Sequence, residues 1–117
     1  MAKTIRHTMA AYERGVKTGD SSIMKPAFHE KATMYGFDAN NELISEGPIE
    51  NLYKLIDAAG AEPDYEFDTQ IMSRTENTAS VRVDIYLRKQ KVHMVDYHNL
   101  IHIDDNWQII SKIYQIL

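Results

Sequence analysis

The stretch from Val92 to Gln115, VHMVDYHNLIHIDDNWQIISKIYQ, constrains the fold more than any other part of the chain. Apolar and polar residues alternate along it on both sides of an Asp/Asn cluster, the pattern of two long strands joined by a hairpin. Asp105-Asn106 suits a tight primed turn, because these side chains tolerate φ > 0, and serves as the pivot. Alternation then places Met94, Asp96, His98, Leu100 and His102 on one face, with Trp107, Ile109, Ser111 and Ile113 opposite them. Two ionisable groups, Asp96 and His98, are thereby set side by side on a largely apolar surface.

Upstream, Ile5, Met9, Tyr12 and Val16 recur at helical spacing over residues 4–18 and turn Tyr12 inward. Thr18-Gly-Asp-Ser-Ser22 breaks that helix and caps a second one running to about His29, where a histidine can meet the last carbonyls. Residues 32–37 read as a strand, Asn40-Asn41 as a turn and 42–45 as a short return strand. Gly47-Pro48 opens a third helix whose apolar face is Ile49, Leu52, Tyr53, Leu55 and Ile56, closed by Gly60 and Pro63. The period then changes to two, over 67–74 and 79–87, with Ala79, Val81, Val83, Ile85 and Leu87 on one side.

Helices followed by a long antiparallel meander define an α+β fold in which the helices cover one face of a curved sheet. A length of 117 residues fits one domain over 1–117, large enough for a core and one ligand cavity but not for a cofactor domain. The other sheet face carries Arg82, Asp84 and Tyr86 but also Val95, Tyr97, Ile101, Ile103, Ile110, Tyr114 and Ile116. That is too apolar for water alone and predicts a homodimer through the sheet.

Several function classes recede on composition. A net charge of −4 and scattered Lys and Arg argue against nucleic acid as a partner. The absence of cysteine removes disulfides, thiolate catalysis and cysteine-ligated zinc. No apolar leader and no run near the roughly 18 apolar residues of a membrane span make a cytoplasmic protein without membrane contact the expectation. A metal site from Asp96, His98 and His102 is disfavoured, since six residues of one strand separate its ends by roughly 20 Å and His93 faces the other way.

The chain resembles the nuclear-transport-factor-2-like superfamily, and within it the small lumazine-binding or polyketide-cyclase-like (SnoaL-like) proteins. The resemblance rests on Tyr12-Glu-Arg-Gly15, Thr18-Gly-Asp20, Phe28-His-Glu-Lys-Ala-Thr33, Glu46-Gly-Pro-Ile49 and Asp96-Tyr97, followed by Leu100, Trp107, Ile109 and Lys112. It implies a cone-shaped (cystatin-like) domain, a curved antiparallel sheet wrapped around three N-terminal helices with an apolar cavity between them. The steroid isomerases of this fold use an aspartate base with a tyrosine and a protonated aspartic acid as oxyanion donors. Matched by order, Tyr12 falls at the tyrosine and His98 near the second acid. The base position falls on Gly36, with Asp38 two residues further on the same face. This fold hosts isomerases, dehydratases, cyclases and non-catalytic modules alike.

These readings converge on a pocket protein for a small, mostly apolar, ring-shaped ligand, with no cofactor and no metal. Its polar anchors are Tyr12, Asp96 and His98; Phe28, His29, Met34, Tyr53, Leu100 and Trp107 are the candidate lining. If it is an enzyme, an isomerisation, dehydration or cyclisation by proton transfer is expected, with His98 as base or oxyanion donor, Asp96 orienting it and Tyr12 donating a hydrogen bond. The competing reading, favoured by Gly36, is a non-catalytic dimeric binding or assembly module with a vestigial pocket.

Overall fold

A computed structural model describes residues 4–117; positions 1–3 of the expected 1–117 domain lie outside the described residues. Helix α1 (Ile5–Thr18) starts where the Thr4 hydroxyl accepts the His7 N–H at 3.0 Å. It ends at Gly19, whose φ of 65° lets the Gly19 and Asp20 amides reach back to the Val16 and Gly15 carbonyls. Ile5, Met9, Tyr12 and Val16 form its buried stripe. Helix α2 (Ser21–Met24), capped by Asp20, is a single turn that tightens into a 3-10 turn over Lys25–Ala27. It is much shorter than the sequence predicts, because Pro26 removes an amide that a longer helix would need.

Strand β1 (Phe28–Phe37) therefore begins four residues early, and His29 lies on a strand rather than at a helix end. β2 (Leu43–Pro48) runs through Gly47-Pro48, so that helix α3 (Glu50–Ala59) opens two residues later than expected. The remainder is β3 (Glu66–Arg74), β4 (Thr78–Leu87), β5 (Val92–Ile103) and β6 (Asn106–Ile116). They form one sheet of order β2-β1-β6-β5-β4-β3. β1 lies parallel to β6, and every other pair is antiparallel. The sheet curves around the N-terminal helices in the expected α+β arrangement. The core of Tyr12, Met24, Phe28, Met34, Val81, Val83, Leu100 and Ile109 fills the space between. No helix among the described residues is long and apolar enough to cross a membrane.

Two details of the β5–β6 hairpin correct the sequence reading. The turn residues are Asp104 and Asp105, with φ of 52° and 63°, and Ile103 pairs with Asn106. The pivot thus sits one residue before Asp105-Asn106. A bulge at Ile110 then lets Ile109 pair with Leu100 and Ser111 with Asn99. One inserted residue inverts the facing of everything beyond it. Lys112, Tyr114 and Ile116 consequently turn inward, while Ile113 is half exposed on the outer face. On that outer face Asp84 takes both Arg82 Nε at 2.9 Å and His93 Nε2 at 2.9 Å, a network that Arg82 extends to the Tyr97 hydroxyl.

Candidate functional site

Two neighbouring rows of cross-strand partners on the inner face build the site. One runs Met34, Lys112, His98, Val81 across β1, β6, β5 and β4, and the next runs Gly36, Tyr114, Asp96, Val83. Lys112 and Asp96 are thus diagonal neighbours on adjacent strands, within reach of long side chains. Helix α1 lowers Tyr12 onto both rows, its ring 4.8 Å from the His98 ring and edge-on to Phe28 and Phe67.

Asp96 is the hub. Its Oδ2 accepts the Tyr12 hydroxyl at 2.5 Å and faces His98 Nε2 at 3.2 Å. Its Oδ1 accepts no hydrogen bond from the described residues, and Asp96 is among the residues that line the cavity. Burial pushes the Asp96 carboxyl up, but the Lys112 charge and the His98 and Tyr12 hydrogen bonds outweigh it and hold the group below its ordinary range. Asp96 is therefore the ionised acceptor. Burial and the adjacent carboxylate raise the Tyr12 phenol well above its usual value, which keeps it a donor.

His98 has no solvent exposure, and burial lowers its imidazole below the ordinary value against the opposing pull of Asp96. It is thus neutral at pH 7. With Nε2–H donating to Asp96, Nδ1 is the unprotonated nitrogen and, among the described residues, the one sealed side-chain polar atom without a hydrogen-bond partner. An imidazole in this position can orient the carboxylate, where the sequence reading has Asp96 orient a basic His98.

Above this floor opens a cavity of about 460 Å³, within the usual range for small-molecule pockets. Tyr12, Met34, Asp96, Lys112 and Tyr114 form its base, and Leu52, Leu55, Ile56 and Tyr65 its apolar wall. Lys112 is buried, with its Nζ 3.7 Å from the Met34 thioether and 4.5 Å from the centre of the Tyr114 ring. Burial lowers its ammonium below the ordinary lysine value, although Asp96 pulls the other way.

Of the nine residues the sequence nominates, Tyr12, Met34 and Asp96 line this cavity, and His98 stands behind Asp96. Phe28, His29 and Tyr53 instead border a separate surface depression with Lys25 and Gln108. His29 lies on the early strand, and its Nδ1 accepts the Lys31 N–H at 3.0 Å. Leu100 and Trp107 are buried in the core beyond the bulge, away from the lining. Asp38 is spent on its own turn, where its Oδ1 accepts the Asn40 and Glu42 amides.

Gly36 also has a structural explanation. A Cβ there would fall inside the ring of Tyr114, its row neighbour, whose hydroxyl pairs with Ser45 Oγ at 2.5 Å. The place of the absent acid is filled by an aromatic ring. Sequence reasoning missed Lys112 and Tyr114 as site residues because the bulge reverses their facing; its trace is Ile109-Ile110, two adjacent apolar residues in an alternating strand. Among the described residues no three His, Asp or Glu side chains converge to hold a metal ion.

A curved antiparallel sheet wrapped around N-terminal helices is the architecture of the nuclear-transport-factor-2-like proteins. Solved structures of that fold superpose over nearly the whole chain. One from Shewanella baltica, of unknown function, is 32% identical with a TM-score of 0.80, covering 97% of this chain and 90% of that one. Another from Methylobacillus flagellatus, also of unknown function, is 23% identical with a TM-score of 0.87, covering 97% and 89%. Within this class the chain belongs to the family described as "Putative lumazine-binding", whose model matches residues 1–115. It is also similar to the aldolase FrzH of a Cladobotryum species, at 26% identity over 107 residues, 92% of this chain and 84% of that protein. Many members of the superfamily bind small molecules.

Proposed function

We propose that the cavity binds a mostly apolar, ring-sized carbonyl compound and that Asp96 removes a proton from the carbon next to that carbonyl. The observation that carries this reading is the asymmetry of the carboxylate: Oδ2 is anchored by Tyr12 and His98, Oδ1 takes no hydrogen bond from the described residues, and Asp96 lines a largely apolar space. A base held this way has a fixed direction of attack and little water to compete with. Isomerisations, dehydrations, cyclisations and aldol additions share this first step, and similarity to an aldolase supports it. The reading needs no cofactor.

The test follows hydrogen–deuterium exchange at the α-carbon of phenylacetone in D2O by NMR. Wild type accelerates exchange over buffer, and Asp96→Asn loses about 100-fold or more of that acceleration. Native mass spectrometry of the purified protein reads any carried ligand in parallel. A bound ligand released unchanged, with no exchange above buffer for phenylacetone or a fused-ring ketone, refutes the catalytic version and leaves a non-catalytic binding module.

The homodimer belongs to the same proposal. Tyr35, Ile113 and Tyr97 are partners in one row on the outer face, each substantially exposed. A second copy packed on that row would bury them. Ile113→Glu then yields a monomer by analytical ultracentrifugation; a wild-type monomer at micromolar concentration sinks the idea.

A further inference from the structure

Lys112 is the buried amine of the described residues; the other lysines there are exposed or half-buried. Its only hydrogen bond among them goes to a thioether, the Met34 sulfur at 3.7 Å, a weak acceptor for an ammonium. Aromatic faces stand at 4.5 Å (Tyr114) and 5.8 Å (Tyr12), and Lys112 lines the same cavity as Asp96. A lysine serving only as an ion-pair partner would sit against oxygen. This one forms no ion pair with a carboxylate of the described residues and lines the ligand space.

We propose that Lys112 is a nucleophile that joins the ligand's carbonyl carbon as an imine, which makes the ligand class an aldehyde or ketone. This rests on the reading of the cavity given above and adds the electron sink that reading lacks. The amine adds to the carbonyl carbon, forming an N–C bond while the C=O π pair moves to oxygen, which takes a proton. Nitrogen loses one proton, the hydroxyl leaves with another as water, and the nitrogen lone pair closes the C=N bond. The net change is one water released and one proton taken up from solvent, which appears as the positive charge of the iminium. Asp96 Oδ1 then takes the α-proton, and the C–H pair flows through the new C=C to nitrogen, giving an enamine. That carbon either regains a proton or attacks a second carbonyl group, and hydrolysis of the iminium returns the amine.

The groups facing Lys112 favour this chemistry. Met34 from β1, Tyr12 from α1 and Tyr114 from β6 offer no carboxylate, and His98 across the row is neutral. A lysine desolvated among such neighbours has a free electron pair more often than one in water, in agreement with its lowered proton affinity. Asp96, the one anion in the cluster, is placed to balance the iminium charge.

The probe is 2,4-pentanedione, small enough to enter any cavity and condensing with an uncharged lysine to an enaminone that absorbs in the near ultraviolet. The expected result is one adduct per chain, with the mass of the diketone less one water, mapped to the Lys112 peptide. The adduct is lost in both Lys112→Met and Lys112→Arg, each checked for folding by circular dichroism. Labelling absent from Lys112 while Asp96-dependent exchange of phenylacetone persists overturns the imine and leaves the proton-transfer reading standing. Absence of both adduct and exchange removes both. Exchange restored by Lys112→Arg also counts against the imine, since arginine supplies charge but no nucleophile.

Discussion

Removing the Tyr12 hydroxyl tests the central assertion about the site, that Asp96 is ionised and held from one side. Tyr12→Phe keeps the ring against Phe28, Phe67 and His98, so it deletes one donor and no packing. The lost contact is a buried 2.5 Å hydrogen bond to a carboxylate, of a kind that contributes about 1.5–3 kcal/mol. Oδ2 keeps the His98 bond, which favours the lower half of that range. With roughly 2.1 cal/mol/K of unfolding entropy per residue, each kcal/mol shifts the melting temperature of a chain this long by about 4 °C, so a fall of roughly 6–9 °C is expected. Urea denaturation at pH 7 should show this loss as a shifted midpoint with unchanged slope. The difference between the two proteins should shrink as acid protonates Asp96, because a neutral carboxyl gains less from the donor. A cost below about 0.5 kcal/mol at pH 7, or one that does not change with pH, would refute an ionised Asp96 anchored by Tyr12.

Two further outcomes follow from the same rows. Gly36→Ala forces the Tyr114 ring off its seat and strains its Ser45 bond, an overpacking cost of about 1–3 kcal/mol; the cost should fall in a Tyr114→Leu background, and an equal cost there would show that the ring is not the obstacle. Stability should also fall as pH drops below about 6.5, the ordinary histidine value, because unfolded His98 takes up a proton that the buried imidazole refuses. The slope approaches at most about 1.4 kcal/mol per pH unit, with a further loss in the carboxylate range as Asp96, whose folded value is depressed, is protonated. Urea midpoints across pH read both phases, and a His98→Gln protein that keeps the first phase would assign it elsewhere.

The sequence by itself determined the alternation of β4 and β5 and the inward stripe of α1. Hydrophobic period is a local property, and Ala79, Val81, Val83, Ile85, Asp96, His98 and Tyr12 all face where their spacing places them. It also brought Tyr12, Asp96 and His98 to one face, since two strand neighbours and one helix stripe need no long-range information. What it could not supply was register. The turn at Asp104-Asp105 moves each partner by two residues and keeps the facing, whereas the bulge at Ile110 moves it by one and inverts the facing of everything beyond it. Only the packed sheet decided that Lys112 and Tyr114 belong to the cavity, that Phe28, His29, Tyr53, Leu100 and Trp107 do not line it, and that a ring occupies the space above Gly36. That Asp96 rather than His98 lines the cavity was decided there as well. Which of two strand neighbours borders the open space is a property of the assembled core rather than of any stretch of chain.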